Sequence, residues 1–222
     1  MNSPGTLVRP PREPRSDRSG VIFVGRLVPK KGVADLLEAM AMLPEPLRSV
    51  RVTIAGYGPL HSELQAKADR LALNANFLGR QSSATIARLL DEHAVFCGPS
   101  QRAPDGDAES LGMVFIEAAL AGLPVVSYRH GGVPEAVAHR QTGLLAPEGD
   151  IAQLSSDLGS LLADPALADA FGAAGYRRAA KLFDLRTRNA RLEEIYDSVA
   201  ESAGPRPPAD GEPAIGRSIT TP

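Results

Sequence analysis

Between residues 21 and 146 the chain repeats one pattern: a short apolar run, a break rich in glycine, then a stretch whose apolar residues recur at helical spacing. Val21 to Val24 is the first run, and a continuous apolar run this short reads as a strand covered on both faces. From Gly32 to Leu43, positions 33, 36, 37 and 40 share one helix face, and Pro44 stops the helix. The pattern then gives strands at 51–55, 76–79, 94–97, 124–127 and 143–146. Helical stretches fall between them: from Pro59 to about Leu73, from Ser82 or Ser83 to Leu90, from about Leu111 to Ala121, and briefly after Gly131. Three helical stripes close the block, the last carried by Leu192, Ile195, Tyr196 and Val199. Strands alternating with helices predict βαβ units. Six of them predict an α/β fold, a doubly wound, Rossmann-like parallel sheet of about six strands.

The flanks differ. Residues 1–20 hold four prolines and four arginines and are expected to be an irregular arm; residues 201–222 are expected to be a disordered tail. The domain is therefore expected at 21–200. The chain carries 24 Lys and Arg against 26 Asp and Glu, which argues against a nucleic-acid or membrane-surface binder. No apolar run is long enough for a transmembrane helix, and the start of the chain lacks the apolar region of a secretory signal. A single cysteine, Cys97, excludes an internal disulfide and a cysteine-based zinc site. It is expected to be a buried, inert thiol. The expected compartment is the cytoplasm.

In a doubly wound sheet, ligands bind at the carboxyl ends of the strands. Those ends carry the unusual residues here. After the first strand come Gly25, Arg26, Lys30, Lys31 and Gly32, three cations just before a helix. Fixed cations and helix N-terminal amides suit phosphate, although a solvated loop has the same composition. The spacing is not that of a Walker A loop. Gly56 and Gly58 begin like a dinucleotide fingerprint, but His61 stands at the third glycine position, so a tight turn with close backbone approach to a ligand is the better expectation. Glu117 lies inside an otherwise apolar helical segment, where a carboxylate must face something polar. Glu109 lies upstream; a fully helical span would set the two about 12 Å apart. That separation suits the two ends of one elongated polar ligand, with helix-dipole stabilisation the plainer reading for Glu109.

Seven segments in this order carry a resemblance: VGRLVPKKG (24–32), IAGYGP (54–59), NFLGR (76–80), PSQ (99–101), ESLGMVFIEAALAGLPVVS (109–127), GGVPE (131–135) and TGLLAP (142–147). The chain resembles the C-terminal, donor-binding domain of retaining GT-B glycosyltransferases of the family 4 type, the glycosyl transferases group 1. The resemblance implies a nucleotide-sugar donor, UDP- or GDP-linked, and hexose transfer with retention for polysaccharide or cell-envelope synthesis. It implies that Arg26 and Lys31 hold the leaving diphosphate, that Glu109 lies near the transferred sugar, and that Glu117 binds the ribose hydroxyls. It also implies donor-binding roles for Gly25 and Gly58, for Leu78 and Arg80 near the base, and for Ser110, Leu111, Gly112, Met113 and Val114 at phosphate and sugar oxygens. Gly131, Gly132 and Glu135 form a further loop at the same edge.

Whole enzymes of this family have two such domains, so the resemblance also implies a separate acceptor-binding domain or chain, with assembly at the inner membrane face. A non-catalytic nucleotide-sugar-binding module is the alternative, and an epimerase or phosphorylase relative a more distant one. No cofactor or metal is expected, since the Arg26 and Lys31 cations can do a metal's electrostatic work. Asp105-Gly-Asp107 has a metal-binding spacing but sits in a Gly- and Asp-rich loop, where solvent exposure is expected. The four histidines, His61, His93, His130 and His139, show no metal spacing; His130 adjoins the Gly-Gly turn and is expected to be a simple loop histidine.

Overall fold

The computed structural model describes residues 18–103, 106–183 and 192–198. The strands are β1 (Val21–Val24), β2 (Val52–Ala55), β3 (Ala75–Phe77), β4 (Val95–Cys97), β5 (Val125–Tyr128) and β6 (Gly143–Ala146). The helices are α1 (Val33–Ala41), α2 (His61–Arg70), α3 (Ser83–Glu92), α4 (Met113–Leu120), α5 (Val133–Ala136), α6 (Ile151–Ala163) and α7 (Pro165–Leu182). All neighbouring strands pair in parallel, in the order β3-β2-β1-β4-β5-β6. This is the doubly wound Rossmann order, and the expected fold class is the observed one. The chain winds outward from β1 to β3, then returns to lay β4 on the other side of β1. Between β1 and β4 the order reverses, which is where such sheets leave a crevice.

The period-two alternation of the strands divides the core. Val21 and Phe23 of β1 face one layer with Leu36, Leu37 and Met40 of α1 and Leu154, Leu158 and Leu161 of α6. Ile22, the residue between them, faces the other layer with Phe96, Val125 and, from α4, Phe115 and Ile116. The rings of Phe96 and Phe115 meet edge to face at 5.7 Å. Burying each such side chain contributes about 1.5–3 kcal/mol, which explains why the strands are apolar on both faces.

Helix starts follow local chemistry. Ser82, rather than Ser83, caps α3 by accepting from the Thr85 amide at 3.1 Å. Asp150 and Asp164 do the same for α6 and α7. The end of the expected arm is part of the fold. Arg18 donates to the carbonyls of Asp91, Ala121 and Gly122, tying the ends of α3 and α4 together, and the Gly20 carbonyl accepts from Ala94 and Val95.

The chain divides into two compact units, 1–183 and 184–222. The first unit ends at Phe183, within the 21–200 span expected for the domain. In the second unit residues 192–198 are helical, and Leu192, Ile195 and Tyr196 are exposed. Val199 and the expected tail at 201–222 lie outside the described residues, as does most of the 1–20 arm.

Candidate active site at the sheet switch point

The loops after β1 and β4 flank the switch point, and a salt bridge joins them. Lys31 Nζ donates to Glu109 Oε2, and both side chains are largely buried. Ser100 Oγ donates to the same carboxylate at 3.3 Å. Lys30 pairs with Asp107 at 2.5 Å, and the Gln101 amide donates to the Lys30 carbonyl. The hydrogen bond from Lys30 holds the Asp107 carboxyl below its ordinary range. Asp107 is exposed, as the sequence suggested; Asp105 lies outside the described residues. Arg26 stands exposed beside this pair and forms no ion pair among the described residues.

Glycines let these loops pack backbone on backbone. A Cβ on Gly131 would collide with the Glu109 carbonyl, and one on Gly132 with that of Ser110. Gly56 and Gly58 similarly abut the carbonyls of Gly25 and Leu27. The close approach that these two glycines allow is thus to the neighbouring loop of the chain itself.

α4 begins at Met113, two residues later than the sequence suggested, after Gly112 in a left-handed conformation with φ 65°. Glu109 belongs to the loop, so the separation that a fully helical span would give between Glu109 and Glu117 does not apply. The loop ends free of the helix because Gly112 turns the chain where a Cβ would strike the Phe115 ring. α4 opens without a side-chain cap, beside exposed Ser110 and Met113 and half-buried Leu111 and Val114. Glu117 lies one turn further on. It contributes to a cavity of about 340 Å³ lined by Val24 of β1, Gln81, Ser83, Ile86 and Leu90 on the α3 side, and Leu120. Its side chain is exposed at the cavity rim, and partial loss of solvent among these groups pushes its carboxyl above the ordinary value.

At the adjoining strand end, the Leu78 amide donates to the Ile54 carbonyl, continuing the β2–β3 ladder. Arg80 lies over the Tyr57 ring at 5.6 Å. Tyr57 is 52% exposed at the tip of its loop. In the sequence Tyr57 is marked only by its place between two glycines.

His130 is not a simple loop histidine. It is only 4% exposed. Its Nδ1 lies 2.7 Å from Glu148 Oε2, and its Nε2 accepts from the Glu109 amide at 3.4 Å. Glu148, which nothing in the sequence marked, also accepts from the Arg102 amide at 2.6 Å. That bond foremost, then His130, lowers its pKa. Cys97 is fully buried, and desolvation pushes its thiol far up, as expected of an inert cysteine. Among the described residues no group of three or more His, Cys, Asp or Glu side chains is placed to hold a metal ion, and no helix is long and apolar enough to cross a membrane.

A parallel doubly wound sheet with cations, a loop carboxylate and an uncapped helix start at its switch point defines a Rossmann-like α/β domain. Residues 8–178 match the model of the family "Glycosyl transferases group 1", and the chain belongs to that family. It is similar to the GDP-mannose-dependent alpha-(1-6)-phosphatidylinositol monomannoside mannosyltransferase of Mycolicibacterium smegmatis, with 36% identity over 84% of this chain and 50% of that protein. Among solved structures it is similar to Anabaena HepE in complex with UDP and glucose, with a TM-score of 0.70, 27% identity, and coverage of 82% of this chain and 49% of that one. The C-terminal domain of a glycosyl transferase group 1 family protein from Francisella tularensis shares the fold, with a TM-score of 0.66 at 20% identity over 75% of this chain and 86% of that one. The chain thus spans about half the length of the mannosyltransferase it matches. These are GT-B glycosyltransferase folds, as the motifs implied.

Proposed function

We propose that this chain is the donor-binding half of a glycosyltransferase, holding a nucleotide-sugar at the carboxyl edge of its sheet while a hexose passes to an acceptor with retention. The observation that carries this reading is the Lys31–Glu109 pair at the switch point, set beside the open start of α4. Lys31 and exposed Arg26 supply positive charge where a diphosphate would lie, and the α4 amides supply donors. A departing nucleoside diphosphate gains negative charge as the glycosidic bond breaks, and preorganised cations stabilise that charge in the transition state. The same electrostatic work makes a metal ion unnecessary. Glu109 faces the transferred sugar. Glu117, exposed at the rim of its cavity, accepts from ribose hydroxyls. Leu78, with Arg80 stacked on Tyr57, borders the base.

The donor nucleotide is UDP or GDP. The mycobacterial relative is named for GDP-mannose, and HepE was solved with UDP. Calorimetric titration of the chain with both nucleotides decides between them. Binding of one is expected, and Lys31→Ala and Glu117→Ala are each expected to weaken it about tenfold or more. Undiminished binding in both variants would remove the site from this position.

A further inference from the structure

We propose that Glu148 and His130 form a two-point clamp on the loop after β4, with His130 the positioning residue that sets where the Glu109 carboxylate points. The inference rests on the reading that Glu109 faces the transferred sugar.

Glu148 comes from the turn after β6, two strands away from β4 in the sheet. Its Oε1 accepts from the Arg102 amide near the start of the loop. Its Oε2 accepts from His130, and His130 in turn accepts from the Glu109 amide near the loop's end. The two contacts of the imidazole fix one tautomer. An amide can only donate, so Nε2 is the acceptor and the proton sits on Nδ1, aimed at a carboxylate that can only accept. The Glu109 carbonyl is also held, accepting from the Gly132 amide at 3.1 Å. Both backbone groups of Glu109 are therefore fixed by the turn at 130–132. The side chain leaves that fixed peptide toward Lys31 and Ser100. His130 touches Glu109 through its backbone and is buried, so it acts through that residue and not on a ligand.

A residue that merely holds up the fold would, when changed, weaken every ligand alike. A residue that aims Glu109 should weaken the sugar-bearing donor and spare the bare nucleotide. The test titrates the full chain with UDP and GDP, and with UDP-glucose and GDP-mannose. In His130→Leu, affinity for the sugar nucleotide is expected to fall about tenfold, while affinity for the matching diphosphate stays within about twofold. His130→Gln, whose Oε1 reaches about as deep as Nε2 and can accept from the Glu109 amide, is expected to recover most of the loss. Glu148→Ala, a change at a half-exposed side chain, is expected to shift the same ratio about threefold and decides the matter if His130→Leu does not fold. An unchanged ratio in the folded variants, or equal losses for both ligands, overturns the clamp. Failure of the donor site itself shows differently, as unaltered diphosphate binding in Lys31→Ala and Glu117→Ala.

Discussion

Glu117 shows how a single carboxylate can work against the fold that carries it. Its side chain is exposed, and partial desolvation beside the apolar cavity raises its pKa above the ordinary 4.5 by an amount that solvent screening keeps small. At pH values between 4.5 and that raised pKa the folded chain binds more protons than the unfolded one, so stability falls as pH rises through the window. Above the folded pKa the whole deficit is present; below 4.5 it is gone. Glu117→Gln is therefore expected to unfold at a higher temperature than the natural protein at pH 7, with the gain vanishing in acid, and to bind nucleotide more weakly. Thermal unfolding followed from pH 3.5 to 8 checks this, and a variant less stable at pH 7 would show that the carboxylate has a folded-state partner. The sequence exposed Glu117 through its apolar neighbours. It exposed Lys31 and Glu109 singly but not as a pair, since their contact spans 78 positions.

At the scale of elements, α3 is fastened to the sheet by His93. Its Nδ1 meets the Leu89 carbonyl at 2.7 Å, and its Nε2 meets Thr53 Oγ1 of β2 at 2.7 Å. Burial depresses its pKa below 6.5, so the folded chain keeps it neutral. Unfolded, the imidazole takes a proton first as pH falls, and stability present above pH 6.5 is lost below it. The unfolding midpoint in denaturant is expected to drop between pH 7.5 and 5.5. His93→Leu, less stable throughout for want of both hydrogen bonds, is expected to lose the part of that slope due to the imidazole; an identical slope would place the acid sensitivity elsewhere. Helices and strands were largely legible from periodicity, because each buries a face whose spacing is set by its own geometry. The start of α4 was not. An apolar run looks helical from Leu111 onward, and only the packing of Phe115 under Gly112 sets where the helix begins.

For the whole molecule, the two core layers and all the loops of the switch point lie within residues 18–183. A chain ending at Phe183 is expected to unfold in one cooperative transition and to bind the same nucleotide as the full chain, within about twofold. Circular dichroism and the calorimetric titration test both parts; loss of cooperative unfolding would show that residues beyond 183 belong to the same folding unit. Interior truncations are expected to be costly in the usual way: Leu36→Ala, fully buried against the sheet, should destabilise by about 2–5 kcal/mol.

The sequence by itself determined the class of fold, the order of its elements and the edge of the sheet where chemistry gathers. These depend on the spacing of apolar residues and on where a strand must give way to a glycine turn, and both are local. Tertiary structure alone decided which side chains meet. It placed Lys31 on Glu109, put the Gly131–Gly132 turn against the Glu109 backbone, and brought Glu148 from the far side of β5 to hold His130 and Arg102. Contacts of that kind join residues on strands that become neighbours only when the sheet winds in both directions from β1, and no local pattern records them.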